Sequence, residues 1–220
     1  MIKKYMLGLA FTVTICSAHA QYTQLGVFVN PVISWMNSDV SSIQSNGSRA
    51  NIDFGLSVDQ YFAPQYAFSS GISITNMGGT LIYSNQKTLN TSEGQLTLLP
   101  NSQVDYQLQY IHIPFAIKMR TPQMGFISFF AQLGFDPMIN VQARANITSS
   151  TINKTDEGVG QAVYPVYLAY HLSAGMNYRI AGSTFLLVGL TYMNGITDVT
   201  YDGSANVEMS CLEIRIGVLF

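Results

Sequence analysis

The chain has 220 residues, of which only 10% are charged, and its formal net charge is −2 at pH 7. This length corresponds to one domain of ordinary size, and the charged fraction is well below the roughly 25% typical of soluble domains. No basic stripe occurs in the sequence, so we expect no nucleic acid among its partners.

The first twenty residues have the pattern of a cleavable secretory signal. Lys3 and Lys4 give a positive start, residues 5–15 are uncharged and largely apolar, and Ala18 and Ala20 form a small-x-small cleavage site. The apolar stretch is too short for a spanning helix, which needs about 20 apolar residues. We therefore predict a signal peptide over 1–20 and a mature domain over 21–220. The mature domain retains one cysteine, Cys211, so it cannot form an internal disulfide.

After the signal, apolar residues recur with a period of two, which is the period of β-strands. The alternation is clearest at the end of the chain, where Leu212, Ile214, Ile216 and Val218 share one face with Phe220. Eight segments show the pattern: 22–36, 51–62, 66–82, 104–119, 126–139, 163–178, 184–193 and 206–220.

The connections between these segments alternate in length. Polar loops are expected over 37–50, 83–103, 140–162 and 194–205, and short turns over 63–65, 120–125 and 179–183. Outer-membrane barrels have short periplasmic turns and longer outside loops, whereas a soluble eight-stranded barrel predicts no such imbalance. The sequence therefore predicts an all-β fold, namely an eight-stranded antiparallel up-and-down transmembrane β-barrel.

Glycine and aromatic positions favour the same arrangement. Small residues on the inward phase relieve crowding in a narrow eight-stranded lumen, and aromatic residues near strand ends are typical of interfacial girdles. The inward-phase glycines are Gly26, Gly55, Gly71, Gly134, Gly175, Gly189 and Gly217. The girdle candidates are Tyr22, Tyr61, Phe62, Tyr66, Phe126, Tyr178 and Phe220 at one rim, and Trp35, Tyr83, Tyr106, Tyr164 and Tyr192 at the other.

The candidate site consists of charged side chains on the inward phase. Charges inside a narrow lumen must be paired and hydrogen-bonded, because an isolated buried charge costs several kcal/mol. We therefore predict a structural polar network, and a binding or catalytic cluster is the alternative. Its predicted members are Asp53, Asp59, Lys118, His171, Glu213 and Arg215, with His112, Gln132 and Asn177 beside them.

No motif in the sequence indicates catalysis. Two histidines without a cysteine or a clear third ligand fall short of a zinc site, and none of the G-x-S-x-G, H-E-x-x-H or G-x-x-x-x-G-K patterns occurs. The polar residues expected at the outer rim, Asp105, Asp136, Arg144 and Asp198, form no recognisable constellation. We predict no catalytic, cofactor-binding or metal site, no cofactor, and no enzymatic activity.

Three short segments resemble known outer-membrane proteins. Residues 110–119, YIHIPFAIKM, resemble the Y-L-x-I-P-x-x-x-K strand of the PorT-type outer-membrane β-barrel family, and 55–59, GLSVD, resemble that family's second strand. The last ten residues end on Phe220 and resemble the C-terminal signal that the barrel-insertion machinery recognises. The resemblance implies a location in the outer membrane of a Gram-negative bacterium. The namesake of the family is an accessory of a protein-secretion system.

Three functions are consistent with these observations. We expect a membrane-anchored structural or binding component with long surface loops. The alternatives are an accessory subunit of an envelope protein-secretion system and a narrow channel, although freely conducting porins need about 16–18 strands. The expected partners are outer-membrane lipids, the barrel-insertion machinery during biogenesis, and an envelope protein.

Overall fold

The computed structural model describes residues 22–201 and 205–220, and the predicted signal peptide lies outside the described residues. Within these ranges the chain forms twelve strands and a short 3-10 helix, Gly160–Ala162. The strands are β1 (Tyr22–Ser38), β2 (Ile43–Ala63), β3 (Tyr66–Tyr83), β4 (Lys87–Thr91), β5 (Gly94–Leu98), β6 (Ser102–His112), β7 (Phe115–Arg120), β8 (Ile127–Thr148), β9 (Asn153–Gly158), β10 (Val166–Ala181), β11 (Thr184–Gly195) and β12 (Val207–Leu219). The described residues contain no helix with the length and hydropathy of a membrane span.

The strands pair antiparallel and close into a ring. Both β6 and β7 lie between β3 and β8, and the order continues through β10, β11 and β12 back to β1. β6 and β7 share one position because the strand breaks at Ile113 and Pro114. Pro114 accounts for the break, since a proline lacks the N–H that the ladder needs. The ring therefore has eight positions joined in sequence order.

The outer face of the ring is apolar along its middle. On β1, Leu25, Val29 and Ile33 are exposed, whereas the intervening Asn30 and Val32 are buried. Exposed apolar side chains continue around every position of the ring, and they include Phe54, Ile72, Ile117, Leu133, Leu172, Leu190 and Ile214. Soluble monomers rarely expose contiguous apolar patches of this extent, so this belt has the character of a lipid-facing surface.

The interior is filled differently in its two halves. Towards the long-loop end, a packed apolar cluster includes Met36, Met77, Leu81 and Tyr106, each at most 1% exposed. The β4–β5 hairpin, inside a predicted loop, adds Leu89 and Leu98 to this cluster. Towards the short-turn end, the buried side chains are mostly polar or charged, with a small apolar group of Phe130, Leu187 and Leu219.

Glycines occupy crowded positions in the polar half of the interior. A Cβ placed on Gly134 would lie 2.4 Å from the carbonyl oxygen of Phe115 and 2.7 Å from Cε1 of His171. A Cβ on Gly175 would lie 2.8 Å from the ring of Phe130. The predicted reason for inward glycines, crowding of the lumen, therefore holds at these two positions.

Three of the predicted polar loops contain strands, so the loop assignment was wrong there. β2 begins at Ile43 rather than at 51, and β8 continues to Thr148 rather than ending at 139. β9 pairs with the extension of β8, and the loop over 83–103 holds the β4–β5 hairpin. The signal was weak because inward residues of the β8 extension include two alanines, Ala143 and Ala145, which alternate with polar residues.

The predicted aromatic girdles are confirmed at only part of each rim. Phe62, Tyr66, Phe126, Tyr178 and Phe220 are 41–63% exposed at the short-turn end, as expected for a girdle. In contrast, three of the candidate tyrosines are at most 2% exposed, lie on the inward phase of their strands and pack inside the ring: Tyr61, Tyr83 and Tyr106. Aromatic residues near strand ends therefore occur on both the outer and the inner face of the ring, and closeness to a strand end alone does not predict which face a residue occupies.

Candidate functional site

The polar half of the interior contains a hydrogen-bonded set that we call the lumen network. It lies inside the ring, where inward-facing side chains of several strands meet. Its members are Asp53, Asp59, His112, Lys118, Gln132, Asp136, His171, Glu213 and Arg215. All of them are buried except Arg215, which is half-buried.

A lysine and an aspartate form a closed ion pair in this network. Lys118 Nζ lies 2.5 Å from Asp59 Oδ2, and both side chains are at most 3% exposed. Ser69 Oγ donates to the other carboxylate oxygen at 2.6 Å. The ring of Phe130 lies 4.9 Å below the ammonium group, measured to its centroid. Each charge is thus compensated by its partner, which is the condition for keeping charges in a dry interior.

Asp136 lies between the two histidines. His112 Nε2 is 2.8 Å from Asp136 Oδ1, and His171 Nδ1 is 2.6 Å from Asp136 Oδ2. Asp136 was predicted to lie at the outer rim, which is wrong, because β8 extends far beyond the predicted end and leaves this residue in mid-strand. Its alternation with Gln132 and Gly134 on the inward phase was the available signal.

Arg215 and Gln132 determine which nitrogen of His171 carries the proton. Arg215 Nη1 donates to Gln132 Oε1 at 2.9 Å, and the guanidinium has no acceptor atoms. The amide nitrogen of Gln132 therefore faces His171 Nε2, at 3.1 Å, and must donate to it. His171 consequently carries its hydrogen on Nδ1 and donates it to Asp136. Arg215 thus joins the predicted polar network through this hydrogen bond to Gln132.

Asp53 and Glu213 border the remaining space in the lumen. Asn30 Nδ2 donates to Asp53 Oδ2 at 3.2 Å, and β12 places Glu213 opposite Val32 of β1. Cys211 is buried beside Glu213, and its Sγ lies 3.8 Å from Oε1. The cavity between these groups measures about 40 Å³, which is room for about three water molecules.

Ser73, His112 and Asp136 form a chain that resembles a hydrolytic triad. Ser73 Oγ is 3.3 Å from His112 Nδ1, and the other ring nitrogen binds Asp136. Acyl transfer also needs space for a substrate carbonyl about 3 Å from the hydroxyl and from oxyanion donors. Ser73 is 3% exposed and does not line the 40 Å³ cavity, so no acyl substrate could reach it in this geometry.

The described residues also hold no group of three His, Cys, Asp or Glu side chains arranged to bind a metal ion. Asp105, Arg144 and Asp198, the other polar residues expected at the outer rim, lie at the long-loop end and take part in separate contacts. Arg49 Nη1 pairs with Asp105 at 2.5 Å, Arg144 pairs with Asp156, and Asp198 accepts from the backbone of Val207. The structure therefore brings these three residues into no common site.

Three solved structures of outer-membrane proteins are similar to this chain. Neisserial surface protein A shares 14% identity over 89% of this chain and 95% of its own, with a TM-score of 0.46. The attachment invasion locus protein Ail of Yersinia pestis shares 12% over 90% and 98%, with a TM-score of 0.42. OprG of Pseudomonas aeruginosa shares 11% over 90% and 94%, with a TM-score of 0.40.

Among curated proteins, no relative matches the sequence. The family model described as "Outer membrane protein beta-barrel domain" matches residues 18–201, well over half of the chain. This span covers the ring from β1 to β11 and most of the lumen network. The protein therefore resides in the outer membrane of a Gram-negative bacterium, and the chain belongs to the outer-membrane β-barrel domain family.

Proposed function

We propose that the protein is an eight-stranded transmembrane β-barrel that serves as a membrane-anchored structural or binding component. The observation that carries this proposal is the filled interior, with a packed apolar cluster in one half and the lumen network in the other. Because the interior is filled, a partner can contact only the two ends of the barrel, and the barrel itself holds the protein in the membrane. Closure of the ring suits a bilayer because it leaves no unpaired strand edge.

The orientation follows the connection lengths. Outer-membrane barrels place short turns in the periplasm and long loops outside, so we assign the long-loop end, with the β4–β5 hairpin and β9, to the cell exterior. We also infer cleavage of a signal peptide after Ala20. The resemblance of residues 110–119 to the PorT-type strand, with its break at Pro114, supports placement in that subgroup.

The lumen network is proposed to be structural, and the protein is proposed not to be an enzyme. Every charged member of the network except Glu213 has a hydrogen-bond partner on another strand, as the Lys118–Asp59 and His112–Asp136 contacts illustrate. Such contacts hold strands of the ring together. Among the described residues, Ser73, His112 and Asp136 form the only chain that resembles a triad, and the burial of Ser73 supports a structural role for it as well.

Planar-bilayer recording tests the filled interior. We expect the purified protein to give no regular conductance steps, because side chains from all sides occupy the lumen and the cavity beside Glu213 measures only about 40 Å³. Regular ohmic steps that scale with salt concentration would overturn the anchor proposal in favour of a narrow channel.

Crosslinking followed by affinity purification separates the binding function from the secretion-accessory function. Stoichiometric recovery of secretion-machinery subunits would favour the accessory function, and recovery of a surface ligand would favour the binding function.

Phe220 is proposed to be the insertion signal. Its side chain is 56% exposed on the outer face, and its backbone N–H donates to Leu25 O at 2.8 Å across the β1–β12 seam. Changing Phe220 to Asp should lower the amount of folded, heat-modifiable protein several-fold while export across the inner membrane continues.

Phe126 provides the matched control, because it is also exposed at the same rim, at 63%, but lies in a turn rather than at the terminus. An equal loss for Phe126→Asp would indicate a general cost of charge in the lipid belt. Unchanged levels for Phe220→Asp would contradict the signal.

A further inference from the structure

The short-turn end of the barrel opens into a depression of about 610 Å³, which we call the short-turn bowl. Its lining includes Arg120, Arg179, Gln123, Tyr22, Phe185 and Phe220. This volume is within the roughly 300–1,000 Å³ of typical ligand pockets. The bowl is separate from the lumen cavity, with which it shares no lining residue.

Both arginines of the bowl are held in place, and most of their donors have no acceptor among the residues that the structure describes. Arg120 Nε donates to Pro64 O at 3.1 Å, and its guanidinium carbon lies 4.3 Å from the ring centroid of Tyr61. Arg179 donates to Gln123 Oε1, and its guanidinium carbon lies 5.6 Å from the ring centroid of Phe185. A guanidinium has five N–H donors. Among the described residues, neither arginine forms an ion pair with a carboxylate.

The distribution of charge along the barrel isolates these two cations. Within 22–201 and 205–220, every Asp and Glu lies either in the lumen or at the long-loop end. Asp59, in the lumen, is already paired with Lys118. The short-turn end therefore carries two arginines and no Asp or Glu side chain among the described residues.

A third donor in the bowl lacks an acceptor. Because Gln123 Oε1 accepts from Arg179, its amide nitrogen is left over, and this buried atom has no hydrogen-bond partner among the described residues. A buried donor without a partner costs about 1–3 kcal/mol. The bowl thus offers guanidinium and amide donors together, which is the chemistry that recognises an oxyanion.

We propose that the short-turn bowl binds a carboxylate-bearing peptide segment of a periplasmic partner. Arg120 stands opposite Phe130, which is buried, and Arg179 stands opposite Phe185 of the bowl lining. Paired side chains share a face, so both arginines point into the mouth of the barrel rather than towards lipid headgroups. Phe185, which packs against the inward apolar group of Phe130, Leu187 and Leu219, adds an apolar wall that fits an apolar residue beside the acidic one. This proposal rests on the orientation given above, with short turns in the periplasm.

Peptide binding to the protein in phosphatidylcholine nanodiscs tests the proposal. The probe is an end-blocked, fluorescent decapeptide of alternating Glu and Phe, measured by anisotropy, with the Gln–Phe decapeptide as reference. We expect the acidic peptide to bind at least tenfold more tightly than its reference and to weaken as salt is raised. Arg120→Gln and Arg179→Gln should each reduce its affinity about tenfold. Arg144→Gln, the same change at the long-loop end, should leave the affinity unchanged.

The outcomes separate the possible sources of the anion. Equal affinity of both peptides, or unchanged affinity in a folded Arg179→Gln variant, would overturn the proposal. The Arg179 side chain is exposed, so we expect this variant to fold. Native mass spectrometry of the purified protein gives a further test. Phosphatidylglycerol that stays bound to the wild type, is lost from both variants and is not displaced by the peptide would also overturn the proposal. Because nanodiscs expose both ends, peptide binding does not depend on orientation. A membrane-impermeant label that reacts with Ser183→Cys on intact cells would instead show that the assigned orientation is wrong.

Discussion

Replacing Lys118 with methionine is expected to lower the free energy of unfolding by about 3–5 kcal/mol. The change removes the ammonium group 2.5 Å from Asp59 and leaves a carboxylate that is 3% exposed without its counter-charge. Methionine has a similar length and preserves the contact with Phe130, so little of the loss should come from packing. Urea unfolding of the protein in lipid vesicles, followed through the fluorescence of its one tryptophan, Trp35, measures the effect.

Two further variants identify the cause of this loss. Changing Asp59 to Leu in the Lys118→Met protein removes the stranded charge, and should recover most of the stability, because a buried pair replaced by apolar residues is often close to neutral. Arg144→Met is the control: its pair with Asp156 is at the surface, with side chains 43% and 59% exposed, where an ion pair is worth at most about 1 kcal/mol. A Lys118→Met protein as stable as the wild type would show that the pair does not support the fold.

The sequence predicts the phase of the lumen residues because one face of each strand meets lipid. A one-residue shift would carry Asp59 or Lys118 into the apolar belt, so the alternation determines that both point inward. It does not determine which inward residues meet. Lys118 on β7 reaches Asp59 on β2 across β3, and Arg215 reaches Gln132 across the lumen. These contacts depend on the stagger of the ring, which no single segment encodes.

The sequence is least informative where the strands leave the apolar belt. Beyond Ile139 the outward residues of β8 become polar, as at Gln142 and Asn146, so the contrast that marks a strand weakens. The same loss of contrast hides the first part of β2, where Ile43 is the only buried residue before the belt. Asp136 was misplaced for this reason, since its position relative to the rim depends on where β8 ends.

Changing Asp136 to Asn is expected to destabilise the barrel by about 3 kcal/mol or more. The carboxylate accepts from both histidines, and hydrogen bonds to charged groups are worth about 1.5–3 kcal/mol each. An amide offers one acceptor and one donor, so one histidine N–H would face an N–H₂ group. Urea unfolding in vesicles measures the loss. Asp156→Asn, which affects an exposed pair with Arg144, should cost at most about 1 kcal/mol.

The cost of Asp136→Asn should also depend on Arg215, although no hydrogen bond joins the two residues among those described. His171 could escape the clash by moving its hydrogen to Nε2, but Gln132 presents its amide nitrogen there, held by Arg215. In an Arg215→Met background Gln132 is free to rotate and accept that hydrogen. The double-mutant cycle should therefore give a coupling of about 1–2 kcal/mol, within the range for residues in one network. Additivity within about 0.3 kcal/mol would show that Arg215 does not set the proton position of His171, and that the lumen network acts as separate pairs.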